Sequence, residues 1–260
     1  MPPKLIALDL DYTLLRTDKT ISDFTADTFR RVREKGIRIA YATGRHKGAA
    51  AYREVLQPVG LVLDNGALVT LGEEILYEAV IPAAAVRSML TALRRQVPAL
   101  EFGISLPSGF YYSPGEGGQL NAWAHSPLQS DLSDLPEEPA YRISYWLPEQ
   151  SAFSREAEET MSALLPELCY LEISYHCFAM LMPMSATKTG GLRILADALG
   201  IRPAEIIAFG DDCNDVEMLS FAGIGVAMGN AIDECKAAAD ACCGTCDADG
   251  VARWIHENLL

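Results

Sequence analysis

The sequence has no run of about 18 apolar residues, the length that a membrane-spanning helix needs. Its first residues, MPPKLIALDLD, hold one lysine and only a short apolar run before two acids. That beginning is too short and too acidic for a secretory signal. The sequence therefore predicts a cytoplasmic protein without a membrane partner.

Cysteine is absent from the first 168 residues, and the seven cysteines that follow are an odd number. A disulfide-stabilised domain has dense and even cysteines, so we expect reduced thiols. Cys242, Cys243 and Cys246 form a C-C-x-x-C pattern with Cys235 upstream. Structural zinc requires four suitable ligands, and no histidine lies nearby before His256. We interpret these thiols as small apolar residues.

Positive charge is scarce, because 21 Lys and Arg stand against 35 Asp and Glu for a formal net charge of −14. A negative field of this kind repels nucleic acid and anionic lipid surfaces. We therefore expect no nucleic-acid partner. Any anionic substrate would need a local cluster of cationic groups.

Short apolar segments that end at polar or glycine-rich turns recur at both ends of the chain. They are LIALD (5–9), IRIAYATG (37–44), GLVLDNG (60–66), EIIAFGD (205–211) and GIGVAMG (223–229). Segments that are apolar throughout are typical of strands buried on both faces. Amphipathic helices are predicted between them, from Ser22 to Gly36, up to Gly200, and after Asp247. The alternation predicts an α/β fold with a Rossmann-like parallel sheet.

The middle of the chain, residues 82–183, has a different pattern. Its predicted strands are amphipathic or aromatic, at 101–106, 109–112, 141–147, 169–174 and 178–182. Two amphipathic helices are predicted around Val86–Val97 and Phe153–Leu164, and turn-rich surface loops at 113–119 and 130–139. We expect residues 1–81 and 184–260 to form one domain and residues 82–183 to form an inserted α+β domain.

Polar residues follow the predicted parallel strands, where ligands bind in open α/β sheets. These residues are Asp9, Asp11, Thr13, Thr43, Gly44, Arg45, Asp64, Asn65, Asp211, Asp212, Asn214 and Asp215, with Lys188 at the start of a helix. The alternative role for such acids is helix capping and turn formation. Capping does not explain why acids follow two strands while Thr and Asn follow others. Converging carboxylates with all-oxygen ligands favour Mg²⁺.

These residues resemble the four motifs of the haloacid dehalogenase (HAD) superfamily, in the order of that family. The matching segments are DLDYT (9–13), TGR (43–45), Lys188 and GDDCND (210–215). DNGA (64–67) and DADGVA (247–252) also resemble the Cof-type branch, subfamily IIB. That branch carries a large α+β cap of type C2B between motifs two and three, where residues 82–183 lie. The resemblance implies a HAD core with a cap that selects the substrate.

The resemblance also implies roles for individual residues. Asp9 is the expected nucleophile, which forms an aspartyl-phosphate, and Asp11 is the expected general acid and base. The implied Mg²⁺ ligands are Asp9, the main-chain carbonyl of Asp11, and Asp211. The implied phosphate-binding residues are Thr43, Gly44, Lys188 and Asn214, where Asn214 and Asp215 orient Lys188 and metal-bound water. Arg45 and Asn65 are possible substrate ligands, and Asp212 is expected to be a turn acid.

The expected activity is Mg²⁺-dependent hydrolysis of a small phosphorylated metabolite, with sugar phosphates as the leading class. A phosphomutase or another phosphotransferase would use the same aspartates and stays an alternative. A non-catalytic phospho-ligand-binding protein is the alternative from another class, although it need not keep both Asp9 and Asp11. The glycines of GIGVAMG bracket a predicted strand instead of following one, which disfavours a nicotinamide site. The sequence leaves the substrate and the oligomeric state open.

Overall fold

The computed structural model describes residues 2–96, 101–113, 128–129, 135–146, 169–174 and 178–260. The strands in chain order are β1 Leu5–Leu8, β2 Arg38–Ala42, β3 Gly60–Leu63, β4 Leu68–Leu71, β5 Glu74–Glu78, β6 Phe102–Leu106, β7 Gly109–Ser113, β8 Leu128–Gln129, β9 Arg142–Trp146, β10 Cys169–Ser174, β11 Phe178–Pro183, β12 Ile206–Gly210, β13 Ile224–Ala227 and β14 Ala241–Cys242. The α-helices are α1 Asp23–Glu34, α2 Arg53–Leu56, α3 Ala83–Gln96, α4 Lys188–Leu199, α5 Val216–Phe221, α6 Asp233–Ala238 and α7 Gly250–Leu259.

The chain forms two compact units. The first unit comprises Met1–Arg45, Ala49–Glu78 and Thr187–Leu260, and the second comprises His46–Gly48 and Ala79–Ala186. The first unit is therefore built from both ends of the chain, and the second lies between them in sequence. The assignment of substrate selection to the inserted segment stays a prediction.

The first unit contains an eight-stranded sheet in the order β14-β13-β12-β1-β2-β3-β4-β5. The pairs from β14 to β3 are parallel. All four residues of β1 are fully buried, because the sheet carries this strand at its centre. The five apolar segments named above are the strands β1, β2, β3, β12 and β13, so the predicted Rossmann-like α/β fold is confirmed.

One edge of this sheet was not predicted. β4 pairs with β3 and β5 pairs with β4, both antiparallel, so a hairpin extends the parallel sheet. The turn between β4 and β5 contains Gly72, whose φ is +60°. Residues with positive φ are mostly glycine, and this glycine between two short apolar runs was the available signal.

The predicted helix ends at Ser22, Gly36 and Gly200 are confirmed, and Thr187 is a further cap that was not predicted. The Ser22 side chain accepts a hydrogen bond from the Thr25 amide at the start of α1, and Gly36 follows that helix with φ +80°. The Thr187 side chain accepts from the Gly190 amide at the start of α4. A side-chain cap of this kind stabilises a helix by about 1 kcal/mol. Within the described ranges, every helix is too short or too polar to cross a bilayer.

The second unit contains a six-stranded sheet in the order β10-β11-β9-β6-β7-β8. Its five longer strands were predicted. Apolar residues of α3 and of one sheet face form a buried core that includes Leu90, Leu93, Phe102, Ile104 and Ile143. The predicted helix around Phe153–Leu164, Val97, the loop 114–119 and residues 130–134 lie outside the described residues.

Candidate active site

Two acids lie where adjacent parallel strands end. Asp9 follows β1 and donates its amide hydrogen to the carbonyl of Phe209 at 3.1 Å, and Asp211 follows β12. The next turn brings in Asp215, because Gly210 has no side chain: a Cβ there would lie 2.4 Å from the Asp215 Cβ. Carboxylate oxygens of Asp9, Asp211 and Asp215 lie within 4.8 Å of one another. All three residues are buried.

Lys188 connects this acidic cluster to helix α4. Its Nζ donates to Asp9 Oδ1 and to Asp215 Oδ1, both at 2.7 Å, and the side chain is buried. Gly66 allows the approach, because a Cβ at this residue (φ +97°) would lie 2.1 Å from the Thr187 carbonyl oxygen. Burial lowers the pKa of Lys188, but Asp215 and Asp9 outweigh it and raise that pKa well above its usual value. Lys188 is therefore a permanent cation.

One cation does not balance the cluster. Burial raises the pKa of Asp9 to about 7 despite Lys188. Burial and the charges of Asp9 and Asp215 raise the pKa of Asp211 to about 8. Three carboxylates and one ammonium leave a formal excess of two negative charges, which matches one divalent cation. Carboxylate oxygens are ligands of Mg²⁺ and not of soft metals, so these residues fit the predicted ion.

Thr13 is a member of this site whose contact the sequence did not reveal. Its Oγ1 donates to Asp211 Oδ1 at 2.6 Å, in a fully buried position. This hydrogen bond fixes one oxygen of Asp211, a member of the acidic cluster. The spacing D-x-D-x-T was the signal, because it places Thr13 in the turn that follows both aspartates.

Asp11 has a different environment from the cluster. Arg45 donates to both oxygens of Asp11, Nε to Oδ2 at 2.6 Å and Nη2 to Oδ1 at 2.7 Å, and Lys19 Nζ lies 2.8 Å from Oδ1. Burial raises the pKa of Asp11, but Arg45 and Lys19 outweigh it and hold that pKa at about 2. Asp11 is therefore ionised at neutral pH in this conformation, which suits a base and opposes the predicted acid role.

The structure thus places Arg45 on Asp11, and its predicted role as a substrate ligand stays a prediction. Thr43 is buried, and its hydroxyl accepts a hydrogen bond from the Arg45 amide at 3.1 Å, beside the half-buried Gly44.

Asn65 is buried at the end of β3, and its side-chain oxygen accepts a hydrogen bond from Asn214 Nδ2 at 3.1 Å. On that turn the contact with Lys188 comes from Asp215, whose other oxygen accepts the amides of Asp211 and Asp212.

Of the cysteines near the C-terminus, Cys235 contacts the turn that carries Asp211 and Asp212. Cys242 belongs to the edge strand β14, Cys246 is buried, and the buried Cys235 thiol donates to the main-chain oxygen of Asp212 at 3.0 Å. Burial raises the pKa of Cys235, which keeps it a thiol. In the part of the chain that the structure describes, the one group of three or more potential ligands is Asp9, Asp211 and Asp215.

The raised pKa values give a test by thermal unfolding. The folded pKa values of Asp9 and Asp211 exceed the unfolded value of about 3.9, so the folded state binds more protons between about pH 4 and pH 8. The unfolding free energy of metal-free protein should therefore fall as pH rises through this window. We expect its Tm to fall from about pH 5 to about pH 8, and Mg²⁺ to raise Tm more at the higher pH.

The matched variant is Asp211→Asn, which should flatten the pH dependence of Tm in chelator. A metal-free Tm that rises over this range would contradict the account of the cluster. So would a Mg²⁺-induced shift in Tm that is the same at both ends of the range.

The family profile of haloacid dehalogenase-like hydrolases matches residues 6–255. The chain is 30% identical to the 5-amino-6-(5-phospho-D-ribitylamino)uracil phosphatase YitU of Bacillus subtilis, over 98% of this chain and 97% of that protein. It is 29% identical to the HMP-PP phosphatase of Cronobacter sakazakii, over 98% and 96% of the two chains.

Solved structures give the same result. The HAD subclass IIB sugar phosphatase BT4131 superposes with a TM-score of 0.83 at 25% identity and covers 98% of both chains. A haloacid dehalogenase-like hydrolase from Bacteroides thetaiotaomicron superposes with a TM-score of 0.81 at 28% identity, over 98% and 99% of the chains. The chain therefore belongs to the haloacid dehalogenase-like hydrolases and is a phosphatase of that family.

Proposed function

We propose that this protein is a Mg²⁺-dependent phosphatase of small phosphorylated metabolites, with sugar phosphates as the leading class, that works through an aspartyl-phosphate. The observation that carries the proposal is Asp9: a buried carboxylate at a strand end, hydrogen-bonded by Lys188 and beside Asp211. A phosphate monoester is very slow to hydrolyse, so catalysis must come from positioning and charge stabilisation. This cluster supplies both.

In the first step, an Asp9 oxygen forms a bond to phosphorus while the bond from phosphorus to the ester oxygen breaks. Lys188 stabilises the charge on the transferring group, and the hydroxyl of Thr43 and the amide of Gly44 are additional donors at the neighbouring strand end. The contact of Lys188 with Asp215 keeps the ammonium in place when Asp9 becomes an acyl phosphate.

Asp9, Asp211 and the main-chain carbonyl of Asp11 would hold the Mg²⁺, with Asp215 beside them. When bound, the ion neutralises charge between the carboxylate nucleophile and the phosphoryl oxygens. Thr13 and Lys188 orient the two carboxylates before substrate arrives, and this order lowers the reorganisation needed in the reaction.

In the second step, water attacks phosphorus, Asp9 is released, and Asp11 takes the proton of the water. The ionised Asp11 that Arg45 and Lys19 stabilise is suited to this step. In the first step the leaving oxygen needs a proton, so we propose that Asp11 donates it only after substrate binding loosens the pair with Arg45. Loss of this pair and the negative charge of the bound phosphate both raise the pKa of Asp11, so that it takes up from the substrate or the solvent the proton that it then donates.

The relatives support the substrate class. By their names they act on a phosphorylated ribitylaminouracil, on HMP-PP and, for a protein from Escherichia coli that is 27% identical, on pyridoxal phosphate. The structural neighbour BT4131 is a sugar phosphatase. All of these are small phosphorylated compounds, which is the class that we propose for this chain.

Removal of metal tests the proposal. EDTA should abolish phosphate release from p-nitrophenyl phosphate and from a panel of phosphorylated metabolites, and added Mg²⁺ should restore it. Asp211→Asn should lower the response to Mg²⁺, whereas Asp197→Asn, on the exposed side of α4, should not change it. Full activity in chelator after dialysis would contradict the proposed site. A requirement for a bisphosphate activator, without net phosphate release, would indicate a mutase instead.

A further inference from the structure

The residues that follow β13 contact the turn that carries Asp211. Residues 228–235, which we call the bracing segment, join β13 to the first turn of α6. The amide of Met228 donates to the carbonyl of Gly210 at 3.1 Å, and the amide of Ile232 donates to the carbonyl of Asp211 at 2.9 Å. Two main-chain hydrogen bonds therefore hold the start of this turn against the bracing segment.

Cys235 adds a third bond to the same turn. Its thiol is fully buried and donates to the carbonyl oxygen of Asp212 at 3.0 Å. That oxygen also accepts the amide of Asp215 at 2.9 Å, so Cys235 bonds to a carbonyl that helps to close the turn. Three consecutive carbonyls thus accept hydrogen bonds from the bracing segment, the third from a side chain. An apolar residue of similar size could fill the position of Cys235 but could not make this bond.

Asn230 links the bracing segment to the turn that follows β1. Its Nδ2 donates to the carbonyl oxygen of Tyr12 at 2.8 Å, and its Oδ1 accepts the amide of Cys246 at 3.0 Å. Because a main-chain amide can only donate, the Cys246 amide determines which end of the Asn230 side chain faces Tyr12. The bracing segment is therefore hydrogen-bonded to both turns that supply the acidic cluster.

The backbone of Tyr12 shows why this bond matters. Tyr12 has a φ of +59°, in the left-handed region that a residue with a side chain adopts at a cost in free energy. The peptide units on its two sides carry the carbonyls of Asp11 and Tyr12, so the torsion angles at Tyr12 set their relative orientation. A hydrogen bond to the Tyr12 carbonyl stabilises this conformation. It thereby helps to fix the Asp11 carbonyl, which is one of the proposed Mg²⁺ ligands.

Resting on the proposed Mg²⁺ site, we infer that Asn230 and Cys235 are positioning residues for the metal ion. Asn230 holds the turn that carries Asp9 and Asp11, and Cys235 holds the turn that carries Asp211. Both act through main-chain carbonyls and not as ligands. Ligands that are held in place before the ion arrives bind it more tightly, because less order has to be gained on binding.

Isothermal titration calorimetry with Mg²⁺ alone, on the full chain freed of metal, measures this effect without substrate. We expect Asn230→Ala to raise the Kd for Mg²⁺ by about tenfold and Cys235→Ala by about fivefold. Cys235→Ser should keep the Kd within about twofold of the wild type, because a hydroxyl can donate to the same carbonyl. In assays with p-nitrophenyl phosphate, saturating Mg²⁺ should restore most of kcat to both alanine variants.

Two controls remove the same chemical groups elsewhere. Asn258→Ala deletes an exposed amide that donates to the Trp254 carbonyl at 2.8 Å on α7. Cys169→Ala deletes a buried thiol of the second unit. Both should keep the wild-type Kd for Mg²⁺, and Cys169→Ala should lower Tm through lost packing. A role in stability alone would likewise lower Tm in the variants of Asn230 and Cys235 without changing Kd.

Asn230 is exposed, so its variant tests the inference even where a variant of the buried Cys235 fails to fold. An unchanged Kd for Mg²⁺ in either folded alanine variant would overturn the inference alone. So would a rise in Kd that is the same in Cys235→Ser as in Cys235→Ala. A wild-type protein that does not bind Mg²⁺ would overturn the proposed metal site and the inference with it.

Discussion

Asp9→Asn is expected to lower phosphatase turnover by at least about a thousandfold, because a neutral amide cannot form the acyl phosphate. The substitution hardly changes volume, and it removes a carboxylate whose ionisation is opposed by burial and by Asp215. Lys188 keeps Asp215 as its partner. The variant should therefore fold with a Tm close to that of the wild type. The measurement is kcat for p-nitrophenyl phosphate at saturating Mg²⁺.

The matched control is Asp197→Asn, the same chemical change on the exposed side of α4. This control should keep the wild-type kcat. A folded Asp9→Asn protein that kept more than about a tenth of the wild-type kcat would show that Asp9 is not the covalent residue. A thermal scan of both variants separates a chemical loss from an unfolded sample.

Asp11→Asn is expected to separate the two steps of the reaction. p-Nitrophenolate is a good leaving group that departs without a proton, so the first step should survive the loss of the acid. The second step lacks its base, so steady-state turnover should fall by about a hundredfold or more. Rapid mixing should then show a burst of about one p-nitrophenolate per active site, followed by a slow phase.

The leaving group provides the control for this experiment. With an alkyl phosphate, whose leaving oxygen needs a proton, the burst in Asp11→Asn should disappear. A burst of equal size with both esters would contradict the acid role of Asp11. Wild-type turnover in the variant would contradict both roles, and would leave the pair with Arg45 as a structural contact.

Much of the fold could be predicted because the responsible signals are local. β1 and β12 are apolar throughout, since each lies inside a parallel sheet, and Ser22 and Gly36 mark the two ends of α1. The approach of Asp9 to Asp211 followed from topology, because the carboxyl ends of parallel strands meet at one edge.

The remaining features depend on contacts between distant segments. Lys19 reaches Asp11 from a turn with positive φ, and no periodicity in the sequence predicts this contact. Asp215 belongs to the acidic cluster because Gly210 has no side chain that would exclude it. From the spacing of the GDDCND segment alone, we predicted only that Asp215 orients Lys188 and metal-bound water. The register between β6 and β9 in the second unit is also not determined by the amphipathic patterns of the two strands.

The most direct test of the central claim is to identify the residue that carries the phosphoryl group during turnover. Asp11→Asn protein is mixed with p-nitrophenyl phosphate and Mg²⁺, quenched in acid, digested and analysed by mass spectrometry. The account predicts a phosphoryl group on Asp9, absent when EDTA replaces Mg²⁺ and absent from the Asp9→Asn, Asp11→Asn double variant. A phosphoryl group on another residue, or active enzyme with no phosphorylated peptide after a measured burst, would contradict it.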